Sequence, residues 1–230
     1  MVLALDDDIV AAPGLVSAHA RWHATDQDLV VLGYMPVATA LPGHRWSAAT
    51  RLYAENYERA CVGFEADPAS ILLGLWGGNF SVRREHWLRA LELERLPVDF
   101  MHTDREFGLR LRQLGLRARF DRGLRSTHHD ERDVRRLADA ARGSAVADVR
   151  FQRSYADVVA PSARASNRFA RWLVDALVTV TRPERVWRPA LELLARLAEL
   201  AQARNLIAAE HALTRLIWRV AYERELRRAR

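Results

Sequence analysis

The sequence predicts an α/β fold over residues 1–130 and an α-helical region over residues 131–230. Two short apolar runs, Val2–Leu5 and Leu29–Tyr34, are each bounded by polar residues, which is typical of strands buried in a parallel α/β sheet. Segments with helical spacing of their apolar residues lie between the strand patterns. Beyond residue 130 the chain becomes rich in Ala, Leu, Arg and Glu, which favours helices.

Length and composition limit the class of protein. At 230 residues, with half of them apolar, the chain can bury the core of one large domain, or of one medium domain with an appendage. All 35 basic residues are arginine, which is typical of a genome-wide bias, and the net charge of +6 does not imply binding to nucleic acid. Cys61 has apolar neighbours, so we expect a buried thiol in a reducing compartment. The amino terminus lacks the positive region of a signal peptide.

Three consecutive carboxylates, Asp6, Asp7 and Asp8, follow the first apolar run. Asp6 and Asp8 would leave a strand on the same side and could share one divalent cation, which would relieve the repulsion among like charges. Ligands of open α/β sheets bind beyond the carboxyl ends of the strands, where these residues would lie. A metal–carboxylate site is one hypothesis. A solvated acidic turn before the helix that begins near Pro13 is the other.

Apolar spacing and turn residues divide the chain up to residue 91 into alternating helices and strands. Pro13 suits the first turn of a helix, and Asp67-Pro68 ends a later one. The predicted elements are, in order, helix 13–24, strand 29–34, loop 36–45, helix 46–61, strand 71–76, turn 77–79, strand 80–82 and helix 84–91.

A further helix is predicted from residue 103 to residue 114. Thr103 and Glu106 fit the capping-box pattern, in which the threonine caps the helix and the glutamate reaches back to its amide. Apolar residues follow at helical spacing, and Gly115 ends the helix. Leu116–Phe120 alternates apolar residues with arginine, which predicts an edge strand.

Residues 131–230 are predicted to form a basic helical appendage. Helical composition covers 133–142, 167–180 and 184–230, with breaks at Pro161 and Pro183. The last stretch would be roughly 70 Å long as one straight helix at ~1.5 Å per residue, so we expect a bend near Asn205. Its apolar stripe needs a partner surface on the sheet domain, on itself or on another chain.

Four short motifs occur in order along residues 1–130. They are an acidic triplet after a strand, a Gly-Gly-Asn turn, an acidic residue opening a helix of the form Asp-x-x-x-Gly-x-Arg-Leu, and a histidine after a final strand. In order and spacing they resemble the carboxyl-terminal two thirds of a family 2 glycosyltransferase. The resemblance implies a partial GT-A-like, Rossmann-like mixed sheet flanked by helices. The matching residues are Leu5–Asp8, Gly77–Arg84, Thr103–Leu111, Leu114–Leu116 and His128.

The resemblance implies a nucleotide-sugar donor, a divalent cation, Mn²⁺ or Mg²⁺, and a glycan, lipid-linked or small acceptor. It implies that one or both of Asp6 and Asp8 hold the metal, and that Asp7 contacts the nucleotide or packs. Asp104 matches the family's base for an inverting transfer. His128 would be a third metal ligand, as in some members. The loop that lines the substrate site would consist of Gly77, Gly78 and Asn79.

Each assignment has a purely structural alternative. Asp104 would be a favourable charge in the first turn of a helix, where a carboxylate is stabilised. Gly78 and Asn79 would form a plain turn, because both residue types tolerate positive φ. His128 would be a core or surface histidine.

Two departures from the family pattern bear on activity. Family members usually carry an acidic residue where Thr103 stands, and the half that binds base and ribose has no counterpart here. We therefore expect a chain that begins within a domain and is truncated or inactive alone; a truncated gene model, a separate partner chain or a degenerate remnant would each explain the missing half. The alternative function is a non-catalytic module whose basic tail, around 168–188, binds a membrane surface or a protein partner. We expect a cytoplasmic location, including the inner face of the membrane, and no nucleic-acid partner, since the tail lacks a helix-turn-helix signature.

Overall fold

The computed structural model describes residues 1–38, 45–94, 103–155 and 168–230. These residues form two compact units. The first unit comprises Met1–His44 and Tyr53–Asp130, and the second comprises Arg45–Leu52 and Glu131–Arg230. The predicted domain boundary at residue 130 stays a prediction, because compactness does not show that a unit folds independently.

Among the described residues, five strands of the first unit form one mixed sheet. They are β1 Val2–Leu5, β2 Ile9–Ala11, β3 Leu29–Tyr34, β4 Asn79–Val82 and β5 Arg117–His128. Their order is β1-β4-β3-β5-β2, and only the neighbours β3 and β5 are parallel. The prediction of an α/β fold with a mixed sheet is therefore confirmed.

Helices cover both faces of this sheet. They are α1 Leu15–Thr25, α2 Ala48–Ala66, α3 Arg84–Glu92 and α4 Thr103–Gln113, with a 3-10 helix at Pro68–Leu73. One sheet face packs on α1 through Leu15, Val31 and Leu124. The opposite face, with Phe80 and Leu32, packs on α2, α3, α4 and the 3-10 helix. The alternation of side chains along each strand thus sends odd and even residues into two different cores.

The structure corrects two strand predictions and adds a strand that the sequence did not predict. β1 is not buried on both faces of a parallel sheet, because it is an edge strand antiparallel to β4. The stretch 71–76 is not a strand, because Asp67 accepts a hydrogen bond from the amide of Ala69 and starts the 3-10 helix instead. β2 was not predicted, since three residues are too few to show an alternating pattern.

β5 is longer than the predicted strand and changes partners along its length. Residues 117–120 pair with β3, and no other described strand pairs with them, as expected of an edge. Residues 126–128 pair with β2. Between these two parts the register with β3 shifts at Gly33 and Tyr34. Such a bulge bends a strand and increases its twist.

The second unit contains four helices within the described residues, α5 Val134–Ser154, α6 Arg168–Val180, α7 Glu184–Ala203 and α8 Ile207–Ala229. Small residues such as Ala138, Ala198 and Ala221 are fully buried around Trp187 and Ile217. None of the helices described is long and apolar enough to cross a bilayer. The predicted break at Pro161 and positions 39–44 of the predicted loop lie outside the described residues.

Glu210 explains why residues 45–52 belong to the helical unit. Glu210 is 1% exposed, and its carboxylate accepts a hydrogen bond of 2.6 Å from the amide of Ala48 at the start of α2. The same carboxylate pairs with Arg45 at 2.9 Å and Arg51 at 3.0 Å. A buried carboxylate needs such partners, so α8 and the start of α2 are held together by charge.

The predicted bend near Asn205 is confirmed as the turn between α7 and α8. Asn205 has φ 57°, a left-handed conformation that few non-glycine residues adopt. The amide of Leu206 bonds to the carbonyl of Ala201 at 2.8 Å, and the amide of Asn205 bonds to that of Gln202 at 3.1 Å. This is the Schellman pattern that ends many helices.

We expect Asn205→Ala to be about 1 kcal/mol less stable than Asn205→Gly in urea unfolding. Both changes remove the contact of the Asn205 side chain with Arg45. Only alanine keeps a Cβ that opposes the left-handed conformation. Equal stability of the two variants would show that the lost contact, and not backbone strain, decides the effect.

Candidate functional site

The strand directions bring the predicted site residues to one edge of the sheet. β1, β3 and β5 end at this edge, whereas the antiparallel strands β2 and β4 begin there. In the sheet register, Leu5 lies opposite Asn79 and Ile9 lies opposite His128. The acidic triplet, the glycine turn and His128 therefore meet at the edge where ligands of α/β sheets bind.

The acidic triplet forms a tight turn that joins the two outermost strands. The amide of Ile9 bonds to the carbonyl of Asp6 at 3.2 Å, so the chain reverses within four residues. β1 and β2 would be ~19 Å apart in a flat sheet of five strands, which this turn cannot span. The sheet therefore has to curve, so that its outermost strands β1 and β2 come together at this acidic turn.

Asp6 lies directly against Gly78. A Cβ built on Gly78 would be 2.9 Å from Asp6 Oδ2 and 2.6 Å from the sulfur of Met35. The pKa of Asp6 is raised, chiefly because its carboxyl is partly removed from water, and further by the negative charges of Asp104 and Asp8. The carboxylates of Asp6, Asp8 and Asp104, which come from two distant parts of the chain, are therefore close enough to interact electrostatically.

Asp104 lies against the adjacent glycine. It occupies the first turn of α4, and its Oδ2 accepts a hydrogen bond of 3.0 Å from the amide of Gly77. A Cβ on Gly77 would be 2.7 Å from the carboxylate carbon of Asp104. Glu106, predicted to reach back in a capping box, is buried and pairs with Arg110 at 2.9 Å. Asp104 and Asp6 therefore contact neighbouring residues of one turn that has no side chains of its own.

His128 ends β5 and contacts Asp8. Its Nε2 lies 3.2 Å from Asp8 Oδ2, and the ring packs edge-on against Tyr53 with centroids 5.8 Å apart. Asp130, which the sequence did not single out, is 3% exposed and lies 3.9 Å from the same nitrogen. Adjacent ligands of an octahedral ion at ~2.1 Å are about 3 Å apart, so the Asp8–His128 pair fits two positions of one coordination shell.

The third predicted metal ligand is not in place beside this pair. Across residues 1–38, 45–94, 103–155 and 168–230, no three Asp, Glu, His or Cys side chains are close enough to hold one ion. Asp6 belongs to the same turn as Asp8 but faces Gly78. Asp7 is exposed at the middle of the turn. The metal set Asp6, Asp8 and His128 stays a prediction.

Asn79 does not line the site with its side chain. It is 0% exposed, and its Nδ2 donates to the carbonyl of Leu124 at 2.9 Å and to Ser126 at 3.2 Å. Its Oδ1 lies 3.0 Å from Nε2 of His19 on α1. Its side-chain polar atoms are thus engaged below the turn, and the contact of this loop residue with a substrate stays a prediction.

A buried chain of hydrogen bonds supports the turn from α1. His19 Nδ1 and His23 Nε2 each lie 2.8 Å from the hydroxyl of Ser81, two residues along β4 from Asn79. Asn79 Oδ1 can only accept, so His19 Nε2 carries a proton. Neutral His19 then accepts from Ser81, and Ser81 accepts from His23. Every donor in this series of hydrogen bonds has an acceptor only while His19 and His23 are both neutral.

Burial acts on the pKa values of both histidines. Burial lowers the pKa of His19, and it lowers that of His23 to about 4. Nδ1 of His23 is buried and has no hydrogen-bond partner among the residues that the structure describes, so a proton added there would have no acceptor among them. The sequence signal for this network was present, because His19 and His23 are one helical turn apart on the buried face of α1.

Comparison with known proteins adds no family assignment. Neither the protein-family models nor the curated proteins contain a match to this chain.

Proposed function

We propose that the chain is part of a metal-dependent glycosyltransferase that moves a sugar from a nucleotide-diphosphate donor to a glycan, a glycolipid or a small acceptor. The partial GT-A-like arrangement is part of this proposal. Its support is the order of the four sequence motifs together with the meeting of their residues at one sheet edge.

The placement of Asp6 and Asp104 around Gly77 and Gly78 carries the proposal. The two carboxylates come from segments about a hundred positions apart, and each contacts one of two adjacent glycines. A Cβ added at Gly77 would lie 2.7 Å from Asp104, and one added at Gly78 would lie 2.9 Å from Asp6, so both carboxylates converge on the backbone of one turn. A purely structural acidic turn would not require a carboxylate from α4 in the same neighbourhood.

The proposed reaction separates the roles of the carboxylates. Asp6 and Asp8, with His128, would hold Mn²⁺ or Mg²⁺, which supplies charge compensation for a leaving diphosphate. The acceptor oxygen forms a bond to the anomeric carbon, while the bond from that carbon to phosphate breaks and the diphosphate leaves with the electron pair. Asp104 takes the proton of the acceptor hydroxyl, and such a base contributes about 10² to 10⁴ in rate.

A binding titration tests this proposal without requiring turnover. We expect nucleoside diphosphates to bind by calorimetry only when Mn²⁺ is present. Asp8→Asn should remove the Mn²⁺-dependent signal, because it removes a ligand charge and disturbs the contact with His128. Asp104→Asn should keep the signal, since this residue is assigned to the acceptor side.

Asp139→Asn is the matched control. Asp139 lies on α5 of the other unit with a side chain 72% exposed, and its loss should leave binding unchanged. Absence of Mn²⁺-dependent binding at millimolar nucleotide would contradict the proposed function. Loss of the signal in the Asp139 variant would show that it reflects general charge.

A further inference from the structure

A groove of about 650 Å³ lies at the outer edge of β5, where residues 117–120 form its floor. Trp22 and Asp26 of α1 line the groove on one face of the sheet, and Phe64 of α2 and Pro68 line it on the other. Within the described residues, no further strand pairs with this part of β5. The groove is therefore a place where the edge of the sheet is open.

Two residues of this edge direct their backbone polar groups away from the sheet. The amide of Arg117 donates to the carbonyl of Asp28 at 3.0 Å, next to the parallel pairing with β3. Because successive residues of a strand direct their N–H and C=O groups to opposite sides, those of Ala118 and Phe120 point away from β3. Such an edge is a template for a further strand, and extended peptides bind to sheet edges in this way.

The side chains of the edge form two rows of different chemistry. Arg119 lies over the ring of Trp22 on the α1 face, at 4.2 Å, and Arg117 shares this face because side chains alternate along a strand. Ala118 and Phe120 pack on the opposite face, in the core that contains Phe64. A strand added here would therefore place every second side chain beside arginines and the others beside apolar residues.

The charge that the groove offers to such a strand is positive. Its two acidic residues are each paired with an arginine, Asp26 with Arg117 at 2.8 Å and Glu65 with Arg122. Arg119 is exposed, and among the described residues no carboxylate forms an ion pair with it. A carboxylate on the added strand would provide that pair, since opposite charges across neighbouring strands attract.

The same arginines disfavour a second copy of this chain as the added strand. Two copies related by a two-fold axis pair in antiparallel fashion, with residues of one face opposite residues of the same face. If the axis passes through residue 117, 118 or 119, an arginine lies directly opposite an arginine of the copy. Like charges in that position destabilise the pairing.

We propose that the β5 edge binds an extended segment of another protein in which acidic residues alternate with apolar ones. The backbone of the segment pairs with Ala118 and Phe120. Its carboxylates lie beside Arg117 and Arg119, and its apolar side chains extend the contact made by Ala118 and Phe120 with the α2 face. This inference is independent of the proposed sugar transfer.

Fluorescence anisotropy of labelled peptides tests the proposal on the full chain. The probe is a peptide of about six residues that alternates glutamate and valine, the usual length of a strand. We expect this peptide to bind, and a peptide with lysine in place of glutamate not to bind. Arg119→Glu should lower the affinity for the glutamate peptide by about tenfold and raise that for the lysine peptide. Arg89→Glu, at an exposed position of α3 outside the groove, should change neither affinity.

Ala118→Pro tests the backbone pairing. The change removes an N–H group that points away from β3, and proline is tolerated where an edge N–H is unpaired, so circular dichroism should remain unchanged while peptide binding is lost. The proposal is overturned if the glutamate peptide does not bind at millimolar concentration, or if a peptide with all glutamates before all valines binds equally well. It is also overturned if Ala118→Pro abolishes a concentration-dependent dimer, since a second copy would then occupy the edge.

Discussion

Gly78→Ala is expected to weaken Mn²⁺ binding by about ten- to a hundredfold, the range seen when the support of a metal ligand is disturbed. The new Cβ would lie 2.9 Å from Asp6 Oδ2 and 2.6 Å from the sulfur of Met35. Met35 is 4% exposed and has little room to move, so the carboxylate of Asp6 has to shift. The measurement is a Mn²⁺ titration followed by calorimetry, after circular dichroism has shown that the variant is folded.

Gly74→Ala provides the control within the same loop. Its Cβ would lie 3.8 Å from the ring of Phe64 and 3.9 Å from the carbonyl of Ser70, which are ordinary contacts, and its φ of −139° lies outside the left-handed region. We expect unchanged Mn²⁺ affinity for this variant. If Gly78→Ala also binds Mn²⁺ normally while Asp8→Asn does not, Asp6 is not a metal ligand and the proposed metal set is wrong.

Gly77→Ala tests the proposed base, Asp104, separately from the metal site. The added Cβ would lie 2.7 Å from Oδ1 of Asp104 and would displace that carboxylate. Under the proposed function, Mn²⁺ affinity should then persist while sugar transfer falls. The alanine variants of Gly77 and Gly78 therefore test the proposed roles of Asp104 and Asp6 separately.

The fold could be predicted where a local pattern is long or chemically explicit. β3 is a six-residue apolar run and matches the prediction in full, and Gly115, which ends α4, has φ 79°. The apolar stretch 71–76 misled the prediction because a short apolar run has no period that separates strand from helix. There, the cap formed by Asp67 with Pro68 decides the local structure.

The order of the site motifs could be predicted from the sequence. The directions in which their side chains point could not. Leu5 faces Asn79 in the register, and this pairing cannot be read from either segment alone. Because of this register, the side chains of Asn79 and Ser81 contact His19 and His23. Asn79, which was predicted to contact a substrate, is therefore part of a buried network of hydrogen bonds. A shift by one residue would reverse these faces.

Acid is expected to destabilise the first unit through this buried network. The folded pKa of His23, about 4, lies below its ordinary value of 6.5, so the unfolded chain binds more protons between these values. The stabilising contribution is therefore complete above about pH 6.5 and is lost as the pH falls toward 4. From His23 alone, we expect about 2 kcal/mol less stability at pH 5 than at pH 7. His19, whose pKa is also lowered by burial, acts in the same direction.

Urea unfolding at pH 7 and pH 5 tests this expectation with a matched pair of variants. His23→Gln keeps an N–H group that can donate to Ser81 but has no imidazole, so it should lose most of the difference between the two pH values. His129→Gln removes an exposed imidazole and should leave the difference unchanged. If His23→Gln retains the full pH dependence, the protons are taken up elsewhere. The buried chain of hydrogen bonds under Gly77 and Gly78 would then not be the acid-sensitive support of the site.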